Sequence, residues 1–164
     1  MLEVTARSAA DLLGIQPNSV ALFYRKLRKI VVADLDQESQ EIFDGCIELD
    51  ESYFGGIRKG KKGRGAVGKV AVFGLLKRGG KVFAQVVSNT KSKTLLPLIA
   101  RKIASDSIVY TDSYGSYNAL DASEFHHYRI NHSTTFAKGK NHINGIENFW
   151  NQAKRVFPSV FERI

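Results

Sequence analysis

The chain has 164 residues, of which 43% are apolar, enough for one full domain and a small appendage; this excludes global disorder. Its formal net charge is +8, unevenly spread: residues 1–46 carry 5 Lys/Arg against 7 Asp/Glu, and residues 47–164 carry 19 against 9. No apolar run approaches a membrane span, MLEVTARSAADLL lacks the basic-then-apolar order of a secretory signal, and the lone Cys46 permits neither an intrachain disulfide nor a cysteine-based zinc site, so a cytoplasmic protein with no membrane partner is expected.

Residues 7–29 predict two helices with a short break. Ala9, Ala10, Leu12 and Leu13 give the first an apolar face, Gly14 suits a sharp turn, and Pro17 fits the first turn of the second, with Asn18 and Ser19 as alternative caps. Val20, Phe23, Tyr24 and Leu27 recur at helical spacing, and Arg25, Lys26, Arg28 and Lys29 fill much of the remaining face. This is the pattern of a helix-turn-helix DNA-binding segment over 1–33, with Arg25 and Arg28 as DNA contacts; an ordinary helical hairpin with a basic face is the alternative. Two short helices bury little, so a third would be needed to complete the unit. The polar, acidic stretch 34–46 is expected to be a linker.

The domain expected over 47–164 begins with a strand, Ile47–Phe54, closed by Gly55 and Gly56. Residues 57–66 (IRKGKKGRGA) interleave glycine with charge and predict a flexible loop. Residues 67–77 and 81–88 are rich in β-formers and joined by Arg78-Gly79-Gly80, a hairpin. A helix is predicted over 91–104, with Pro97 tolerated near its first turns. A strand over 107–111, a brief helix over 113–121, an edge strand over 125–131 and a last helix over 141–156 follow. The order β-β-β-α-β-α-β-α is that of an α/β protein with a ribonuclease-H-like mixed sheet and packed helices.

Three acids fall at or near element ends: Asp50 in IELDESYFGG, Asp112 in IVYTDSYGSY and Glu147 in HINGIENFW. Singly, each has an ordinary reading, as a surface residue, a helix cap and a solvated helix glutamate respectively. Together they describe carboxylates from distant segments that repel one another unless a hard divalent cation joins them, as in metal-assisted phosphodiester chemistry. Glu48 shares the strand face of Asp50, and Glu51 points the other way. Lys154 lies two helical turns beyond Glu147 on the same face. Arg58, Lys59, Lys61, Lys62 and Arg64 make a basic loop after Asp50, suited to phosphates. Histidines 126, 127, 132 and 142 do not make a zinc site, because His126 and His127 point to opposite strand faces. His142 and Asn144 are better read as DNA contacts or as support around Glu147.

The strings ELDESYFGG, GKVAVFGLLKRGGKVFAQVV, SIVYTDSYGSY, INHS and HINGIENFWNQAKR resemble the DDE transposases of bacterial insertion sequences, in the branch related to the eukaryotic Merlin transposons. The resemblance spans about residues 5–156. It implies a ribonuclease-H-like catalytic domain working with two Mg²⁺ or Mn²⁺ ions. It also implies Asp50, Asp112 and Glu147 as metal ligands and catalytic triad, and Lys154 on DNA near the cut end. Some members of this branch carry Asn as the third residue, which makes Asn144 an alternative, although only Glu147 has the lysine seven residues on. The implied partners are double-stranded DNA, as terminal inverted repeats and as target, and further copies of the chain. Family members extend further before the helix-turn-helix and beyond AKR than this sequence does. An incomplete helical unit, a truncated C-terminus and low activity are therefore expected. A remnant that only binds DNA and a structure-selective nuclease of the same fold are the rival readings.

Overall fold

A computed structural model describes residues 4–38, 40–55, 69–122, 124–130 and 141–156. The chain divides into two compact units, Met1–Glu41 and Ile42–Ile164.

The first unit is a helical pair, α1 (Ala6–Leu13) and α2 (Pro17–Glu38). Thr5 caps α1, its hydroxyl accepting from the Ser8 amide at 3.2 Å, and Gly14 ends it at φ 62°. Pro17 opens α2, so Asn18 and Ser19 lie inside the helix and not at its cap. Only Ala9, Ala10 and Val20 are buried among the described residues of this unit, with Tyr24 packed on them; Leu12, Leu13, Phe23 and Leu27 are exposed. The small alanines let the helices approach closely, so the larger residues predicted to share that face point away. Helix α2 also runs to Glu38, into the stretch expected to be a linker. No glycine or proline interrupts residues 18–38, and Ala33, Leu35, Gln37 and Glu38 are sound helix formers, so the polarity of that stretch is no bar to a helix.

The second unit is built on a five-stranded mixed sheet, ordered β3-β2-β1-β4-β5. Its strands are β1 (Cys46–Phe54), β2 (Val70–Lys77), β3 (Val82–Val87), β4 (Ile108–Asp112) and β5 (His126–Ile130). Strands β1, β2 and β3 pair antiparallel; β4 pairs parallel to β1 and to β5. Gly79, at φ 71°, makes the β2–β3 turn. This mixed α/β arrangement is compatible with the ribonuclease-H-like expectation, and β5 is the predicted edge. The segment after β4 is a 3₁₀ helix (Gly115–Ala122), tighter than the brief helix expected. Among the described residues, no helix is long and apolar enough to cross a membrane.

Strand alternation sorts the second unit into two cores. On one face Ile47, Leu49, Phe73, Leu75 and Val109 pack with Leu95 and Ile99 of α3 (Ser92–Lys102) and with Tyr117 and Leu120 of the 3₁₀ helix. On the other, Phe54, Val72, Tyr110 and Ile130 pack with Ile143 and with Ile146 and Trp150 of α4 (Asn144–Val156). Gly74, paired across the ladder with Asp50, makes room for that helix: a Cβ there would stand 2.3 Å from Trp150 Cζ2. Gly74→Ala should therefore destabilise the fold by about 1–3 kcal/mol through overpacking. Urea unfolding followed by emission of Trp150, the chain's one tryptophan, measures this; an unchanged midpoint would contradict the packing.

Candidate active site

Two neighbouring strands of the sheet each carry an aspartate. Glu48 of β1 is paired with Tyr110 of the parallel strand β4, and the charge of Asp112, two residues beyond Tyr110, reaches Asp50, two residues beyond Glu48. Alternation puts both aspartates on the sheet face of Glu48 and Tyr110, the face that α4 covers. Glu147 lies in the first turn of α4, directly after Ile146, whose amide bonds to Glu48 of β1.

Asp50 feels the charge of the other two acids. Burial pushes the Asp50 carboxyl from its ordinary 3.8 up to about 7, with the charges of Glu51, Asp112 and Glu147 adding to the rise and a hydrogen bond from the Glu51 amide opposing it. One oxygen of Asp50 accepts that amide at 2.9 Å, and one oxygen of Asp112 accepts the Tyr114 amide at 2.9 Å. The second bond is an Asx-type turn leading into the 3₁₀ helix, so Asp112 serves the local backbone as well as the pocket. Among the described residues no three Asp, Glu, His or Cys side chains are gathered at the spacing of metal ligands; the acids interact through charge at longer range. The donor set is nonetheless all carboxylate, as Mg²⁺ or Mn²⁺ prefers, and a cation placed among these groups would offset the repulsion that raises Asp50.

Glu51 faces away, as expected, and is not idle. Its Oε2 accepts the hydroxyl of the fully buried Tyr117 at 2.8 Å. Burial first, and the Glu51 charge next, push that phenol well above its ordinary 10.0. On the same face His127 joins the exposed Asp121 through Nδ1 at 2.6 Å and the buried Thr111 through Nε2 at 2.9 Å, a polar chain ending one residue before Asp112. These partners give His127 a structural role rather than that of a metal ligand. His132 lies outside the described residues.

Of the remaining predicted residues, Lys154 is exposed on α4 with its Nζ 6.0 Å from the Phe54 ring centre. His142 lies just before α4, its Nδ1 3.6 Å from Glu48 Oε1, and exposed Asn144 is the first residue of the helix. Arg25 and Arg28 are exposed on α2. Arg58, Lys59, Lys61, Lys62 and Arg64 lie outside the described residues.

The family model of the ISXO2-like transposase domain matches residues 42–164, the whole of the second unit. The chain belongs to this family. An uncharacterized transposase-like protein of Haemophilus influenzae is 63% identical over 75 residues, a match that covers 46% of this chain and 61% of that protein.

The raised Asp50 carboxyl has a consequence for stability without divalent ions. Folding makes Asp50 take up a proton between pH 3.8 and about 7, so the stability it contributes is present below pH 3.8 and lost as pH rises to about 7. Asp50→Asn removes this dependence. Relative to the wild type it should gain stability from pH 4 to pH 8 in chelator, by at most about 4 kcal/mol. Urea unfolding at several pH values measures the difference; a constant gap across that window would contradict the buried, mutually repelled aspartate.

Proposed function

We propose that this ISXO2-like chain is an insertion-sequence transposase that cuts DNA at its element's terminal inverted repeats and joins the freed 3′-OH to target DNA. The reading is supported by the Asp50 carboxyl, raised by burial and by neighbouring charges that include Asp112 and Glu147, acids that come from three separate elements. The strings ELDESYFGG and HINGIENFW favour the branch related to the Merlin transposons.

In this reading Asp50, Asp112 and Glu147 hold two Mg²⁺ or Mn²⁺ ions, which would lower the pKa of an attacking water and neutralise charge on the attacking and leaving oxygens of the phosphodiester. The residues of the chain do the rest. Asp50 and Asp112 each commit one oxygen to a backbone amide, which fixes the carboxylate and leaves the other oxygen for an ion. Burial of Asp50 keeps water from screening its charge. Lys154, exposed two turns beyond Glu147, is suited to a DNA phosphate near the cut end. The basic residues at 58–64 hold flanking DNA, and α2 presents Arg25 and Arg28 to a duplex in the manner of a recognition helix. Asn144, exposed and three residues before Glu147, is better placed as a DNA contact than as the third ligand. The chain works on DNA with further copies of itself.

With an inverted-repeat duplex and Mg²⁺, Asp50→Asn should abolish strand cleavage and leave DNA binding nearly intact, since the change keeps side-chain size and removes the charge that holds the ion. Retained cleavage would remove Asp50 from the site. Cleavage without joining to a second DNA would mark a nuclease, and binding without cleavage by the wild type a non-catalytic remnant.

Joint replacement of Arg58, Lys59, Lys61, Lys62 and Arg64 by alanine should flatten the salt dependence of DNA binding. The slope of log K against log salt falls by about 0.9 for each phosphate that is no longer neutralised. An unchanged slope would take these residues off the DNA.

A further inference from the structure

Glu48 is only 1% exposed, an unusual place for a carboxylate, and both its oxygens are engaged. Oε1 accepts from Arg78 Nε at 2.8 Å, and Oε2 accepts the Ile146 backbone amide at 3.0 Å. Arg78 continues the link. Its Nη2 donates to the His142 carbonyl, and its guanidinium lies over the Tyr110 ring, 3.9 Å from the centre. One carboxylate from β1 and one guanidinium from the β2–β3 turn thus grip residues 142–146 at both ends.

Ile146 is the third residue of α4, and its amide is among the donors that a helix leaves unpaired at its start. Glu48 supplies the missing acceptor from another element and places negative charge at the positive end of the helix dipole. The fit is close. A Cβ on Gly145 would stand 2.8 Å from Glu48 Oε2 and 3.2 Å from Leu76 Cδ2, so glycine lets the helix start come down onto the sheet. One turn further on, Trp150 lies over Gly74. These two contacts, at Ile146 and at Trp150, set the roll of the helix about its axis. Glu147 lies between them.

We propose that Glu48 is a positioning residue for Glu147: by capping α4 at Ile146, with Arg78 holding it in place, it fixes the rotation that turns Glu147 towards Asp50 and Asp112. The inference rests on the reading of those three acids as a divalent-ion site. Glu48 would not itself touch the ion, since both its oxygens are committed elsewhere. Groups that orient metal ligands commonly change metal affinity by about 10–100-fold when removed.

The test uses the full chain with Mn²⁺ alone. Free Mn²⁺ is followed by electron paramagnetic resonance, and hydrogen exchange is followed at the Ile146 amide. Glu48→Gln removes the charge that faces Arg78 and the helix start. Arg78→Lys keeps the charge beside Glu48 but cannot span both Glu48 and the His142 carbonyl, and its partly exposed position makes it the variant that folds if the other does not. We expect Glu48→Gln to weaken Mn²⁺ binding at least about tenfold and Arg78→Lys to weaken it less, both with faster exchange at Ile146. Mn²⁺ affinity equal to wild type in a folded variant whose Ile146 amide exchanges faster would overturn the positioning role while leaving the ion site standing. Asp50→Asn separates the two claims: if it binds Mn²⁺ as the wild type does, the ion site falls and the role of Glu48 falls with it.

Discussion

A carboxylate taken out of water within reach of other negative charges is the constraint on which this structure turns. Asp50 sits on the central strand of the sheet, its carboxyl raised by burial and by the fields of Glu51, Asp112 and Glu147. A fold has no reason of stability to assemble such a group, because each carboxylate makes the next harder to ionise. Strongly perturbed carboxyls are frequent at functional sites, which is what motivates the proposed role of Asp50. The sheet contributes two of the acids, Asp50 from β1 and Asp112 from the end of its parallel neighbour β4. The third depends on how a helix is docked.

That docking joins stability to function through few contacts. The α4 face of the sheet offers Gly74 to Trp150 and Glu48 to the helix start, and both work by close approach. Breaking a buried ion pair by removing one partner commonly costs about 3–5 kcal/mol, so Glu48 and Arg78 belong to the stability of the second unit as well as to the placement of Glu147. The opposite face carries its own polar anchors. Tyr117 bonds Glu51, next in sequence to Asp50, and His127 bonds Thr111, next to Asp112. Each strand aspartate is thus flanked by a residue tied down on the far side of the sheet, which holds the backbone that carries it.

Much of this was legible in the sequence. Runs of β-forming residues and the Arg78-Gly79-Gly80 turn locate the strands, and the last helix, expected over 141–156, spans Asn144–Val156. Alternation separated Glu48 and Asp50 from Glu51. The bond between Glu48 and Ile146 was not legible, because nothing local in a strand says which helix amide it will meet 98 residues later. Arg78 looked like a turn residue for the same reason. In the first unit the error ran the other way. Polarity after residue 33 suggested a linker, but polarity and helix are compatible, and α2 continues to Glu38. Leu12 and Leu13 fit a helical period yet remain exposed, because the close contact of Ala9 and Ala10 with Val20 decides which side of α1 is covered.

Anomalous scattering from crystals of the full chain soaked in Mn²⁺ would locate the ion that these acids are proposed to hold. Manganese should lie between the carboxylates of Asp50 and Asp112 with Glu147 turned towards it, the acids drawn closer than in the ion-free state. Manganese bound elsewhere, or an Asp50–Asp112 pair that remains apart and unliganded at saturating Mn²⁺, would contradict that role.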